Sequence, residues 1–552
     1  MRLPPIICRL ISIALLAISI RPAHAQVSFT TVALSGQPAP GIPGASIGSV
    51  HESIVMGSAG HVALWATICG PGIVHGGDDA LWLGRPGSLQ LVARADDPAP
   101  QVDDNAVFSN FDYFTLVSST GQIFFNSAIV VRGVDDEMPD YAIYSGTPGS
   151  LKLLARSGRT IPGVEPSTRL QPYLWSFACN ASGQVALASM ISSDQPEIVA
   201  QQGVLIGAPG SFKLIAKTGQ QAPGFPQGFV YHGGDGSDFT IHRLSAAGQV
   251  LFSADVSKPD TNEFLGRAFW TGDADSVQRV LYHGQPAPGV EAGRVIRYPT
   301  LSMNASGQIV LVCGLSETDS LESALYVGAP DNLRLIARSG QQAPGMPAGV
   351  RYQAFEYNSI FNPQINDAGI IAFTAFPKMP GTPEGFFYEG LWFGPPDNLR
   401  FIAVAEQPAP GLRDGFVFSS FEPQINNLGQ LIFRGCFHGP GVPSGAGAWK
   451  LDSSGNVTLL FADGQLFDVG NGDLRTIERF HLGQLNDLGQ LPFWANFTDG
   501  STGLFLVTIP EPSTLSMLFL SSLMLFARNR RTAMISHKQK RRSGDSSFVF
   551  PT

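Results

Sequence analysis

The sequence predicts an all-β protein, an eight-bladed β-propeller of four-stranded blades whose last blade is closed by the N-terminal strand. Three observations predict it. One turn-and-strand unit recurs eight times, around Gly60, Gly121, Gly183, Gly248, Gly307, Gly369, Gly429 and Gly489, at spacings of 61, 62, 65, 59, 62, 60 and 60 residues. Each unit holds enough alternating apolar segments for four strands. The eighth unit lacks its third-type strand, and an isolated third-type strand, SFTTVALSGQPAPG from Ser28, stands before the first unit. The count reaches eight of each only if the N-terminus completes the last blade, which removes the final open edge. An open solenoid calls for atypical capping repeats instead, and a β-helix for a shorter period.

The elements of a unit follow in order. Three residues before each Gly stands Gly57, Ser118, Asn180, Ser245, Asn304, Asn366, Asn426 or Asn486, all turn formers suited to a tight Asn-x-x-Gly reversal. Two residues after the Gly the chain always carries Val, Ile or Leu. Four after, it carries Leu64, Phe125, Leu187, Phe252, Leu311, Phe373, Phe433 or Phe493. The residue between is apolar too, or Pro492, so this strand is expected to be buried on both faces. A second strand follows a variable stretch, as in ALWLG from Ala80 and AFWTG from Ala268. A short turn such as Pro86-Gly87-Ser88 then leads to a third strand of the form L-x-L-I-A-R, from Leu89, Leu151, Phe212, Leu333 and Leu399, with looser versions from Val277 and Val457. Regular cations in it, such as Lys152, Arg334 and Arg338, suit an exposed edge strand. A G-Q-x-A-P-G loop at Gly219, Gly284 and Gly340 ends the ladder, and a fourth strand such as FVFSSFEPQIN from Phe416 returns to the next turn.

The two ends read as addresses. Arg2 and Arg9 precede an apolar run, Leu10 to Ile20, and then Ala23-His24-Ala25, the small-x-small pattern of a signal-peptidase site; cleavage is expected after Ala25. Eleven apolar residues are too few to span a bilayer. Near the other end Pro510-Glu511-Pro512 precedes a 13-residue apolar stretch, Leu515 to Ala527, and then Arg528, Arg530 and Arg531. Apolar residues followed by cations should stay in the membrane with the basic side in the cytoplasm. Pro510, Glu511, Pro512 and the arginines, in this order, resemble the PEP-CTERM sorting signal of exported bacterial proteins, which implies an exosortase-type processing enzyme as a partner. Here 21 residues follow Arg531; a plain C-terminal anchor is the alternative. The chain thus divides into a signal peptide (1–25), a propeller (26–508), a sorting signal or membrane segment (509–531) and a basic cytoplasmic tail (532–552).

The repeats also resemble the exported tandem-repeat proteins marked by N-x-x-G-x-x-A-F. Asn366, Gly369, Ala372 and Phe373 match fully, and Asn426, Gly429 and Phe433 match with Ile432 in the Ala place. The resemblance implies surface display and carries no assigned reaction.

Chemistry is sparse. Of five cysteines, Cys8 leaves with the signal; Cys69, Cys179, Cys313 and Cys436 fall in units one, three, five and seven, too far apart around a ring to pair, so four free, largely buried thiols are expected. No zinc spacing, H-E-x-x-H or G-x-S-x-G occurs, and no catalytic residue or organic cofactor is assigned. Gln follows the repeat Gly in six copies, which suits a structural hydrogen-bonding role. Between the ends, 25 basic and 42 acidic residues leave a net charge of −17, which repels nucleic acid and anionic membranes. The G-Q-x-A-P-G loops and the variable loops share one rim, where binding is expected. In units one and two that rim is acidic, with Asp78, Asp79, Asp96, Asp97, Asp103, Asp104, Asp135, Asp136, Glu137 and Asp140. Clustered carboxylates suit Ca²⁺, which takes several oxygen ligands; a solvated acidic loop set accounts for the same residues without a metal. His75, His232 and the run from Gly233 to Asp238 lie in comparable loops. The expected function is a surface-displayed, non-catalytic binding or scaffold module for extracellular polysaccharide or matrix, with extracellular polysaccharide or surface proteins as partners. A propeller hydrolase or lyase acting on an extracellular polymer is the alternative, and a purely structural coat a third reading.

Overall fold

The computed structural model describes residues 26–510 apart from 74–76, 103–104, 133–139, 162–163, 165–167, 181, 194–200, 209, 234–238, 262, 274, 317–321, 356–362, 380, 382, 384–385 and 453. Phe29–Thr508 forms one compact unit of eight antiparallel sheets arranged as an eight-bladed β-propeller. Blade 2 shows the plan: Ala106–Val117 innermost, then Ile123–Val131, Asp140–Thr147 and Ser150–Arg156 at the outer edge. The sheet order equals the chain order, so each third-type strand is an edge, as its cations predict. Two of those cations reach the hairpin turn of the next blade: Lys213 Nζ lies 2.8 Å from Asp275, and Arg334 Nη1 2.5 Å from Asp397.

Closure takes the predicted form. The last sheet runs Ser28–Leu34, Thr502–Thr508, Gln490–Phe497, Leu474–Leu482 and Leu466–Asp468, so the N-terminal strand is the outer strand of blade 8. Val32, Leu504 and Leu506 from blade 8 then share one core with Ile47, Leu64 and Trp82 of blade 1. Trp494 Nε1 donates to the Val50 carbonyl at 2.7 Å, and Thr502 Oγ1 accepts from Val50 N at 2.7 Å, across the seam.

The turn glycines explain themselves. All eight have φ between 70° and 82°, in the left-handed region where a Cβ is strained. In the Asn copies, the side-chain oxygen takes the backbone N–H groups two and four residues on; Asn180 does so at 3.1 and 3.0 Å. Its Nδ2 is then free to reach across to the next blade's turn. Asn180 donates to Ser245 O, Asn304 to Asn366 O, Asn366 to Asn426 O and Asn426 to Asn486 O, all at 2.9–3.0 Å. One rim therefore carries a belt of inter-blade hydrogen bonds, and the Gln after the Gly supports it: Gln184, Gln308, Gln430 and Gln490 accept from their own Asn.

The other rim has its own latch. The alanine of the Ala-Pro loop, followed by Gly in every copy but the one with Gln101, is buried in six copies, Ala39, Ala99, Ala222, Ala287, Ala343 and Ala409. The proline carbonyl beside it accepts from the large aromatic of the next blade's second strand. Trp82 donates to Pro40 O, Trp270 to Pro223 O, Trp392 to Pro344 O and Trp449 to Pro410 O at 2.8–3.1 Å, and Tyr144 Oη to Pro100 O at 3.1 Å. Each of these tryptophans is fully buried and stacks on, or packs near, the Phe strand of its own blade. The strand after each turn is buried on both faces, as expected; Phe124 and Phe125 are both 0% exposed.

Repetition makes the chain its own reference. Tyr352 is 1% exposed and its hydroxyl has no hydrogen-bond partner among the described residues. Blades 2 and 7 carry Phe108 and Phe418 at the same place, one residue after the bridges Pro98–Val107 and Pro408–Val417 that match Gln342–Arg351. A buried, unpaired hydroxyl is a cost, so Tyr352→Phe is expected to leave stability unchanged or raise it by about 1 kcal/mol. Urea unfolding checks this; a clear loss of stability contradicts it.

The four cysteines of the propeller are free and fall in blades 1, 3, 5 and 7. Their burial is more varied than expected. Cys313 is buried, Cys179 and Cys436 are intermediate, and Cys69 is exposed because it ends its strand where the chain leaves the sheet. Burial pushes the Cys179 thiol up to about 12 and Cys313 higher still.

Candidate functional site

The acidic rim residues come out as follows. Asp79 faces His51 at 3.5 Å, Asp96 faces Arg132 at 3.5 Å, and Asp140 makes a 2.7 Å ion pair with Arg156. Asp78 is half-buried and its carbonyl accepts from Ile68 N. Asp103, Asp104, Asp135, Asp136 and Glu137 lie outside the described residues, as do His75, Ala23, Ala25, Glu511, Pro512, Arg528, Arg530 and Arg531; Pro510 is the last described residue. Among the described residues, no three His, Cys, Asp or Glu side chains are grouped to hold a metal.

A cleft of about 700 Å³ opens between blades 4 and 5, on the rim of the variable loops. Its wall in blade 4 is the far end of two paired strands, Val250–Lys258 and Glu263–Gly272, where Ser253 faces Phe269 and Asp255 faces Arg267. Nearer the turn the same face carries Leu251 and packs into the core shared with blade 5. Farther out that face turns polar, and the two blades part. The floor is hydrogen-bonded. Arg267 donates from Nε to Ser253 Oγ at 3.1 Å and from Nη2 to Thr240 Oγ1 at 2.7 Å, with its Nη1 3.9 Å from Asp255. His242 Nε2 lies 2.9 Å from Ser253 Oγ. The ring of His242 is crowded by protein and lies near the Arg267 charge, which together lower its pKa to about 4. Burial holds the Asp255 carboxyl above the usual range, although Arg267, His232 and His283 oppose it.

The blade 5 wall begins with Arg297-Tyr298-Pro299. Inner strands bulge here in several blades: the register slips between Phe108 and Asn110, between Tyr352 and Ala354, between Phe418 and Ser420, and between Arg297 and Thr300. In blade 5 the bulge is built differently. Tyr298 has φ = 44°, in the left-handed region, yet the residue is 62% exposed. Arg297 Nη1 lies 2.9 Å from His283 Nε2. The Tyr298 N–H lies 3.3 Å from the other ring nitrogen, Nδ1. Across the cleft Phe264 is 59% exposed. Each exposed ring stands edge-on to a histidine, Tyr298 to His283 at 5.1 Å and Phe264 to His232 at 5.5 Å between centroids.

Of these, sequence reasoning singled out His232 alone. The signal for the rest was departure from the repeat. The residue after the third strand is a hydroxyl in four blades, Ser35, Ser157, Thr218 and Ser339; each takes the backbone N–H of the second strand, at 2.9, 2.9, 3.2 and 3.2 Å. Blade 4 has His283 there, turned to the cleft. Blade 7 has Asp463, which still accepts from Ala446 N at 2.8 Å, but its Oδ1 has no partner among the described residues, and burial pushes it up to about 6. Its folded pKa lies above the unfolded value, so its contribution to stability is full below about 4 and is lost as pH rises through about 6. Asp463→Ser restores the hydroxyl of the other blades. It is expected to raise stability by about 1 kcal/mol at pH 7 and to flatten the pH dependence between about 4 and 6. Unfolding midpoints at pH 4.5 and 7 check this; a loss at pH 7 contradicts it.

A family model described as a family of unknown function (DUF7453) matches residues 23–140 and 137–516. No curated protein matches. Among solved structures, similar ones include an acylaminoacyl peptidase of Pyrococcus horikoshii, 10% identical, covering 81% of this chain and 57% of that one, with a TM-score of 0.35. The β-propeller domain of the Trilobed protease from Pyrococcus furiosus is 11% identical, over 76% of this chain and 96% of that one, with a TM-score of 0.34. Trypanosoma rangeli sialidase is 9% identical, over 84% and 61%, with a TM-score of 0.28. The chain thus spans 57% of the length of the peptidase.

Proposed function

We propose that this chain, which belongs to DUF7453, a family of unknown function, is an exported, surface-anchored, non-catalytic propeller that binds extracellular polysaccharide or matrix. Export and anchoring rest on the Ala23-His24-Ala25 site and on the sorting-signal resemblance from Pro510 to Arg531. Binding rests on one observation: the blade 4–5 cleft carries two exposed aromatic rings over a polar, hydrogen-bonded floor. Ligand sites are concave and place few polar groups among apolar and aromatic ones, in volumes of about 300–1,000 Å³.

The alternative reading, a hydrolase or lyase, rests on the His242–Ser253 contact. Three features weigh against it. Ser253 is 1% exposed, its Oγ already accepts from Arg267, and a histidine with a pKa near 4 is a weak base at neutral pH. Asp255 is the single carboxylate among the described residues lining the cleft, whereas glycoside hydrolysis ordinarily uses two. Incubation of the purified protein with an array of neutral and acidic glycans, followed by product analysis, tests the proposal. Retention of a glycan without new reducing ends or unsaturated products is expected; turnover contradicts the non-catalytic reading, and failure to retain any glycan contradicts the binding one.

A further inference from the structure

We infer that a niche between blades 2 and 3, on the rim of the repeat turns, binds a tetrahedral oxyanion, a sulfate or phosphate group, through Lys152, Ser145 and Gln122. The niche has a volume of about 290 Å³. It lies on the other rim from the blade 4–5 cleft, so the inference stands apart from the binding reading above. Three observations converge on it.

The first is a cation without a counter-charge. Lys152 and Ser145 stand opposite each other in the outer hairpin of blade 2, so their side chains share one face of the sheet, and both line the niche. Lys152 makes no ion pair or hydrogen bond among the described residues, and no carboxylate lines the niche. The facing hairpin turn of blade 3, Gly207 to Ser211, carries no acid in its sequence. The residues of the adjoining turns that lie outside the described set, Ala181 and Pro209, are uncharged types. The undescribed carboxylates of this part of the chain fall in 103–104, 133–139, 165–167 and 194–200, connections that join the strand ends of the other rim.

The second is a pair of unused donors. Ser145 is 4% exposed, yet its hydroxyl makes no hydrogen bond among the described residues. Other blades fill this place with Leu83, Ile206, Val327, Phe393 and Leu506. A buried hydroxyl is costly to keep unless something bonds it. Gln122 is the other donor. Elsewhere the Gln of the turn accepts from its own Asn, as Gln184 does from Asn180. Blade 2 has Ser118 in the Asn place, and its hydroxyl accepts from the backbone of Thr120 and Gln122 instead. The Gln122 oxygen lies against Gly183 of blade 3, where an added Cβ would come within 2.9 Å of it. Its amide N–H groups have no acceptor among the described residues.

The third is the contrast with the next seam. A niche of about 300 Å³ occupies the matching place between blades 3 and 4, and there each of these groups is matched. Lys213 meets Asp275 at 2.8 Å, and Gln184 is bonded to Asn180. Ile206 stands opposite Lys213, as Ser145 stands opposite Lys152. The turn that supplies Asp275 has Gly210 at the same place in blade 3. The blade 2–3 niche therefore offers an ammonium, a hydroxyl and an amide with no anion of its own. All three donate to oxygen, which suits the several acceptor oxygens of a sulfate or phosphate. Ser118 is also too short to make the inter-blade bond that Asn180 makes to Ser245 O one seam on. An oxyanion bound here joins two blades where the belt is missing.

The test follows the melting temperature of the intact protein with sodium sulfate, sodium phosphate, glucose 6-sulfate and glycerol 3-phosphate, against sodium chloride at equal ionic strength. A saturable rise in the millimolar range is expected for the oxyanions and none for chloride, because a ligand that binds only the folded state stabilises it. Sulfate also stabilises proteins by exclusion from their surface, an effect every variant shares. Lys152→Gln and Ser145→Val are each expected to raise the half-saturating concentration at least tenfold. Valine is what blade 5 carries at that place, so the fold accepts it. Lys213→Gln, which removes the matching cation already paired with Asp275, is expected to leave the response unchanged. Esters that saturate below the inorganic ions identify the group as part of a larger molecule, and the reverse identifies a free ion; either sustains the inference. A response that does not saturate, chloride acting equally, or a Lys152→Gln variant that responds like the parent overturns it. In crystals soaked with selenate, anomalous selenium scattering is expected within hydrogen-bonding reach of Lys152; selenate seated only elsewhere also overturns it.

Discussion

Deleting Phe29–Leu34 is expected to remove most of the stability of the propeller. The segment buries Val32, Ala33 and Leu34 and sets Phe29 edge-on to Phe461, Phe467 and Phe493. Burial of the Val and Leu side chains alone is worth about 3–6 kcal/mol, a large part of the 5–15 kcal/mol that holds most folded proteins together. The loss also strips Ser35 from Thr502, whose N–H and hydroxyl it meets at 2.9 and 3.1 Å. Thr502–Thr508 then becomes a bare edge beside the seam with blade 1. A lower guanidinium midpoint and concentration-dependent association in light scattering are expected. A synthetic peptide of residues 28–37 should restore both in trans. An unchanged midpoint contradicts closure by this strand.

The second large effect is at the latch. Trp449 is fully buried, stacks on Phe433 at 5.9 Å, stands edge-on to Phe418 at 4.9 Å and donates to Pro410 O. Trp449→Ala leaves a cavity between blades 6 and 7 and is expected to cost about 3–5 kcal/mol. Trp449→Phe keeps most of the packing and strands the Pro410 carbonyl, at about 1–3 kcal/mol. The ordering of the two variants in urea unfolding is the informative result. A Trp449→Phe variant as stable as the parent would mean that the loop is not held by this hydrogen bond.

The architecture was legible because it is repeated. Eight glycines at near-constant spacing fixed the turns, and the double-sided apolar strand after them fixed the core. The displaced third-type strand at Ser28 fixed the closure. What the repeat pattern alone could not disclose was the role of its own constants. The Pro of the Ala-Pro-Gly loop reads as a strand breaker, and only the fold brings its carbonyl to a tryptophan some 40 residues on in the next blade. The cleft was hidden for the opposite reason. His283, Arg297 and Tyr298 are separated along the chain by a loop and look like scatter in an otherwise regular motif. They meet because the outer strand of blade 4 and the inner strand of blade 5 end on the same rim. The acidic residues drew attention by number, but Asp79, Asp96 and Asp140 each face a histidine or an arginine.

The most direct measurement is a crystal structure of the intact protein soaked with the tightest-binding glycan of the array. The account predicts a closed ring of eight blades with sugar density between blades 4 and 5, against the exposed Tyr298 and Phe264. Sugar seated elsewhere on the propeller, or a blade 4–5 cleft left empty at saturating ligand, would contradict it.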